Sequence, residues 1–148
     1  MTRKPIHVLV VDDSAVVRQI LPALLAEEKD LTVATAADPL IALKKIESRR
    51  PDVIVLDLEM PRMDGLTLLR KLMREDPIPV VVCSGHAGEG SDAALRALDE
   101  GAVEVLARPR IGVREYLQDS AVVLVDAVRA ASQARVGKSL ALRSRPRA

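Results

Sequence analysis

Aromatic residues are nearly missing from this chain. They make up 1% of its 148 residues, with Tyr116 standing alone and no Phe or Trp. Its core must therefore be aliphatic, and it offers no platform on which single-stranded nucleic acid could stack. Cysteine occurs once, which excludes an intrachain disulfide. That residue, Cys83, ends the run Val80-Val81-Val82-Cys83 and reads as a small buried hydrophobe rather than a reactive thiol. No apolar run approaches the roughly 20 residues of a membrane span. Arg3 and Lys4 precede a short apolar run that ends in Asp12-Asp13, which is not the pattern of a signal peptide. A cytoplasmic protein is the expectation. Strong net charge is also lacking, at +1. Residues 133–148 hold Arg135, Lys138, Arg143, Arg145 and Arg147 and no acid, so the body is mildly acidic and its tail basic. Neither nucleic acid nor membrane is expected as a partner.

Several catalytic signatures are absent too. Gly137-Lys138-Ser139 resembles the end of a phosphate-binding loop, but Ser132 stands where its first glycine belongs and no strand precedes it. Gly88 and Gly90 do not make a GxGxxG fingerprint, and no GxSxG elbow occurs. His7 and His86 lack metal-ligand spacing. His7 belongs at the start of a strand, and His86 in a loop.

What the chain does have is alternation. Short aliphatic runs at His7–Val11, Leu31–Ala36, Val53–Leu56, Val80–Cys83 and Val103–Leu106 read as buried strands. Amphipathic segments lie between them. Val17, Ile20, Leu21, Leu24 and Leu25 follow a helical repeat, with Ser14 as N-cap. Asp38-Pro39 opens a second helix. A third runs from about Leu66 to Arg74, before Pro77. A fourth starts near Ser91-Asp92 and ends at Gly101, a C-terminal glycine. A fifth covers about Arg114 to Ala134 and shows Leu117, Ala121, Leu124, Val125 and Val128 on one face. The length suits one domain. Regular βα alternation predicts an α/β fold with a five-stranded parallel sheet covered on both faces. Right-handed crossovers favour the flavodoxin-like strand order 2-1-3-4-5. Residues 1–132 form the expected domain, and 133–148 a basic, linker-like tail.

Two acidic clusters follow two of these strands: Asp12-Asp13 after the first and Asp57 after the third. In the expected order these strands flank the switch point, where open α/β sheets bind ligands beyond their carboxyl ends. Three carboxylates converging there call for a hard cation. Mg²⁺ fits, since it takes a few carboxylates, a carbonyl and retained waters. Glu59 is placed to supply the carbonyl. Ser84 ends the fourth strand and can donate to a phosphoryl oxygen, with Gly85 leaving room beside it. Arg108-Pro109 follows the fifth strand, where the guanidinium can clamp an anion.

These residues together resemble the receiver domain of bacterial two-component response regulators. The motif set is Asp12-Asp13, Asp57 followed by Glu59-Met60-Pro61 and Met63-Asp64-Gly65, then Ser84, then a base before Pro109. Asp38-Pro39-Leu40, Leu95-Arg96-Ala97-Leu98 and Gly112-Val113-Arg114-Glu115 bring the resemblance nearest to the N-terminal receiver of chemotaxis protein-glutamate methylesterases. The resemblance covers about residues 5–132. It implies a phosphorelay protein whose Asp57 accepts a phosphoryl group from a chemotaxis-type histidine kinase. It also implies Mg²⁺ held by Asp12, Asp13, Asp57 and the Glu59 carbonyl. Ser84 and Arg108 would contact the phosphoryl group, and the Arg108-Pro109 bond would be cis. The output partner implied is a methylesterase or other effector.

This sequence departs from that pattern twice. Arg108 stands where the family places lysine, and the two are not interchangeable at a packed site. Val105 stands where many members carry an aromatic switch residue. These departures motivate an alternative, an interaction module that works without phosphorylation. No Ser/His/Asp esterase constellation follows residue 132, so the chain is read as a phosphoacceptor and not as a methylesterase. A haloacid-dehalogenase-type phosphatase fits Asp57-Leu58-Glu59 superficially, but that motif belongs after a first strand and needs further acidic motifs.

Overall fold

A computed structural model describes residues 4–58, 65–84, 92–107 and 114–134. In chain order the strands are β1 (Ile6–Val11), β2 (Leu31–Ala36), β3 (Val53–Leu56), β4 (Val80–Ser84) and β5 (Glu104–Ala107). The helices are α1 (Ala15–Leu25), α2 (Pro39–Ser48), α3 (Gly65–Glu75), α4 (Asp92–Asp99) and α5 (Arg114–Ser132). The strands form one sheet in the order β2-β1-β3-β4-β5, as expected. Every pairing is parallel, with Val11 opposite both Ala36 and Leu56, and Leu56 opposite Val82.

The alternation of side chains along the strands sends successive residues to opposite faces. Leu9 and Val11 join Ile54, Leu56, Val80 and Val82 beneath α2, α3 and α4, where Ile46, Leu68, Leu69 and Leu72 close the layer. Val8 and Val10 join Val53, Val55, Val81 and Cys83 on the other face. There Val17, Leu21 and Leu25 of α1 and Leu124, Val125 and Val128 of α5 cover them. Burial on both faces explains why the strands read as unbroken apolar runs. Cys83 is buried in this layer, in keeping with its reading as a packing residue.

Local signals account for the helix ends. Ser14 has extended backbone geometry and accepts from the Val17 amide at 3.3 Å. Asp38 does the same for Ile41 at 2.9 Å, with Pro39 opening the helix. Gly101 has a φ of 117°, a left-handed conformation that favours glycine. Around it, Ala102 N–H donates to the Ala97 carbonyl at 2.9 Å and Gly101 N–H to Leu98 at 3.1 Å, a Schellman closure. β5 begins at Glu104, one residue later than the sequence pattern suggested, although the Val103 N–H already donates to the Val80 carbonyl of β4 at 2.8 Å. Pro22 lies inside α1. It removes one intrahelical donor, a cost of about 3 kcal/mol in a helix interior. The helix continues because Val17, Leu21 and Leu25 remain buried on either side of it.

At the far end of α5, Arg129 reaches back to the α1–β2 connection. Its Nε and Nη2 donate to the two carboxylate oxygens of Asp30 at 2.9 and 2.8 Å, and Nη2 also donates to Glu28 at 2.6 Å. The guanidinium holds the Asp30 carboxyl below its ordinary range and is itself held more firmly protonated. Such forked pairs fix geometry as well as charge.

His7, near the start of β1, is buried, and its Nδ1 lies 3.1 Å from Thr32 Oγ1. Burial, followed by the nearby charge of Arg49, lowers its pKa below 6.5. The unfolded chain therefore binds this proton more readily than the folded one. Stability should be level above pH 6.5 and fall as the pH drops below it, through the depressed folded pKa. Urea unfolding across this range should show the loss in the wild type and a flatter profile in His7→Gln.

Gly65 provides a second test. A Cβ built there would lie 2.4 Å from the Asp57 carbonyl oxygen and 2.6 Å from Leu58 Cα. Both are backbone atoms that cannot swing aside. Gly65→Ala should cost about 1–3 kcal/mol, the range for overpacking, measured as a lowered denaturation midpoint. An unchanged midpoint would mean that α3 can lift off the end of β3 freely.

Candidate functional site

The site lies at the carboxyl edge of the three central strands. β1 ends at Val11 and β3 at Leu56, paired in register, so the next residues, Asp12 and Asp57, emerge side by side. The Asp57 amide donates to the Val11 carbonyl at 2.9 Å, and the Asp12 amide to Ala36 at 3.1 Å. These bonds carry the ladder one residue past each strand and fix where both carboxylates begin. Asp13 follows directly.

Carboxylate oxygens of Asp12, Asp13 and Asp57 all lie within 4.8 Å of one another. Asp57 is 1% exposed and Asp12 4%, while Asp13 is exposed. Two ionised carboxylates at such a separation repel by about 3–4 kcal/mol at an effective dielectric near 20. Asp12, Asp13 and Asp57 would hold a small hard cation, one that takes a few carboxylates and keeps several waters. The donor set is all oxygen, which matches Mg²⁺ and not a softer metal. The sequence-derived expectation that these three acids converge is met in the geometry.

Neighbouring contacts hold the cluster in place. Ser14 N–H donates to Asp12 Oδ1 at 2.8 Å. Arg18 Nη1 donates to the Asp12 backbone carbonyl at 2.9 Å. Gly65 N–H donates to the Leu58 carbonyl at 2.8 Å, closing the segment that leaves Asp57. The close approach of Gly65 to the Asp57 and Leu58 backbone lets α3 start directly against the site. Gly65 and Arg18 were not marked as site residues by sequence pattern. A glycine opening a helix looks like any turn glycine, and an arginine on α1 looks like a solvated base.

Ser84 ends β4, and its Cα pairs with that of Ala107 at the end of β5. Its backbone is therefore at the same edge as Asp57, two residues beyond Val82, which pairs with Leu56. Glu59, Gly85, His86, Arg108 and the Arg108-Pro109 bond lie outside the described residues. Val105 lies in β5 opposite Val82 and packs partly against the α2–α4 face. His7 sits at the opposite end of β1 from the acids, as its place in the sequence suggested. No helix among the described residues is long and apolar enough to cross a membrane.

Comparison with known proteins agrees with this geometry. Residues 8–118 match the response regulator receiver domain family. The chain is 57% identical over 142 residues to protein-glutamate methylesterase/protein-glutamine glutaminase 1 of Anaeromyxobacter dehalogenans, covering 95% of this chain and 40% of that protein. It is 52% identical over 147 residues to the protein of the same name from Pseudomonas savastanoi pv. phaseolicola, covering 99% of this chain and 41% of the relative. The chain thus spans about two fifths of the length of these relatives. Among solved structures, the response regulator domain of Thermotoga maritima CheB superimposes with a TM-score of 0.82 at 33% identity, covering 88% of this chain and 98% of that one. Vibrio cholerae chemotaxis protein CheY4 superimposes with a TM-score of 0.65 at 28% identity, covering 80% and 98%. With its strand order, its acidic cluster and these matches in agreement, the chain belongs to the response regulator receiver domain family, in the group carried by CheB-type methylesterases.

Proposed function

We propose that this receiver is a phosphorylation switch in which Asp57 accepts a phosphoryl group from the phosphohistidine of a chemotaxis-type kinase. The observation that carries this reading is the convergence of Asp12, Asp13 and Asp57 at adjacent strand ends, with Asp57 almost fully buried. A buried carboxylate beside two others is a costly arrangement for a merely structural residue. It suits a group that shares a cation and attacks phosphorus.

Asp12, Asp13 and Asp57, with the Glu59 carbonyl, are the residues that would hold Mg²⁺. When bound, Mg²⁺ neutralises charge on the phosphoryl oxygens during transfer. Asp57 supplies the attacking oxygen, and the bond to the donor imidazole nitrogen breaks as the new P–O bond forms. The bond from the Asp57 amide to the Val11 carbonyl fixes where that side chain begins. Ser84 and Arg108 are proposed to meet the phosphoryl oxygens after transfer, Ser84 by donating its hydroxyl proton and Arg108 by its forked charge. Their movement toward the new anion would shift β4, β5 and α4 between two packings. Residues 1–132 are taken as the receiver unit, and 133–148 as a basic linker toward a methylesterase or other effector. The protein itself acts as phosphoacceptor, and the esterase chemistry named in its relatives is not assigned to these residues.

One observation favours the second reading, an interaction module indifferent to phosphorylation. Val105 is β-branched and partly packed in β5, so its side chain has little rotamer freedom with which to report a change at Ser84. Amide exchange separates the two. A switch predicts altered exchange across residues 84–110 on phosphorylation, and the alternative predicts none.

The central test is intact mass after incubation with a small phosphodonor such as acetyl phosphate and Mg²⁺. One acid-labile phosphoryl group should be added to the wild type and none to Asp57→Asn. A chelator should abolish the reaction. Labelling that persists in Asp57→Asn would overturn the assignment.

A further inference from the structure

We propose that Arg18 is a positioning residue for the acidic cluster, holding the β1–α1 turn so that Asp13 faces the cation. The inference rests on the metal-site reading above and extends it to a residue outside the carboxylate set.

The turn from Asp12 to Ser14 is tied at three points. The Asp12 amide donates back to β2, at the Ala36 carbonyl. Asp12 Oδ1 accepts from the Ser14 amide at 2.8 Å. The Asp12 carbonyl, which lies past the end of β1, accepts from Arg18 Nη1 at 2.9 Å. Asp13 sits between the tied residues, and its exposed carboxylate is the member of the cluster least restrained by burial. Its aim depends on the peptide on either side of it, and the Arg18 bond fixes the orientation of the peptide before it.

The placement of Arg18 is not what helix physics favours. It lies in the first turns of α1, and its amide makes an early bond of that helix, to Ser14 at 3.0 Å. The helix dipole is positive at that end, so a cation is disfavoured there. α1 has no acid in its first turn to offset it. The half-buried guanidinium instead reaches back six residues to the loop that carries two acids. It meets backbone oxygen there, at the Asp12 carbonyl, rather than a carboxylate.

Positioning and simple charge compensation predict opposite signs. If Arg18 acts only as a nearby positive charge, its removal lowers repulsion toward a cation and Mg²⁺ binds more tightly. If it positions Asp13, its removal loosens the turn and Mg²⁺ binds more weakly. Groups that support metal ligands in this way are typically worth about 10–100-fold in affinity.

The experiment is titration of the unphosphorylated chain with Mg²⁺ by calorimetry, using wild type, Arg18→Ala, Arg18→Lys and Gln19→Ala, with Asp57→Asn as the test of the site. Arg18→Ala should weaken binding about tenfold, Arg18→Lys should recover part of the loss, and Gln19→Ala should match wild type. Without metal, the Asp12 carbonyl carbon and Ser14 amide resonances should move in Arg18→Ala while the α1 Cα shifts stay helical, which separates a loosened turn from a lost fold. Wild-type binding with equal or tighter affinity in Arg18→Ala overturns this inference alone. Absence of Mg²⁺ binding by wild type, or binding undiminished in Asp57→Asn, overturns the site reading and this inference with it.

Discussion

A parallel sheet covered by helices on both faces leaves little room for charge along its central strands. Every residue of β3 is buried, and the strands beside it are aliphatic almost throughout. Charged groups can enter the central layer only where a strand runs out. In this chain β1 and β3 run out in register and both continue into carboxylates, so like charges meet at the carboxyl edge of the sheet. That concentration of negative charge is the constraint on which the rest of the site depends. The mutual repulsion of these carboxylates makes a demand on the turns that carry Asp13 and Asp57, and the proposed Mg²⁺ would offset it.

The scaffold answers this demand through backbone rather than side-chain bulk. β1 lies between β2 and β3; the Ala36 carbonyl of β2 accepts from the Asp12 amide, and the Val11 carbonyl of β1 from the Asp57 amide. On one side, α3 begins so close to the Asp57–Leu58 backbone that only a residue without Cβ fits at Gly65. On the other, Ser14 caps α1, its amide donating to Asp12 and its hydroxyl accepting from the Val17 amide. Site and helix starts are thus built from the same few residues. At the other end of the molecule, Arg129 ties α5 to the α1–β2 connection, away from the acids. The result is a cluster held by the central strands, with β4 pairing β3 beside it.

Much of this was readable from residue order. Aliphatic runs of strand length, helical repeats between them, Ser14 and Asp38 as caps, and Gly101 as a terminator are local signals, and each element appears close to where they place it. Some boundaries moved by one residue, as in β5, which begins at Glu104. Pro22 shows the reverse case, a local breaker overruled by burial of Val17, Leu21 and Leu25. The acids were legible because an ionisable residue after an apolar run is conspicuous. The contacts of Arg18, Gly65 and Arg129 were not, because their partners are backbone groups, or side chains as many as 101 positions away, as Glu28 is from Arg129.

The sequence by itself determined the elements, their parallel pairing and the presence of acids at two strand ends, because these follow from periodicity, capping and the burial of apolar runs. Tertiary structure alone decided that oxygens from Asp12, Asp13 and Asp57 share one 4.8 Å neighbourhood, that α3 presses on the Asp57 backbone, and that Arg18 reaches the Asp12 carbonyl. Those facts depend on strand register and helix approach. Both are set by packing across the whole sheet, which no local stretch of residues encodes.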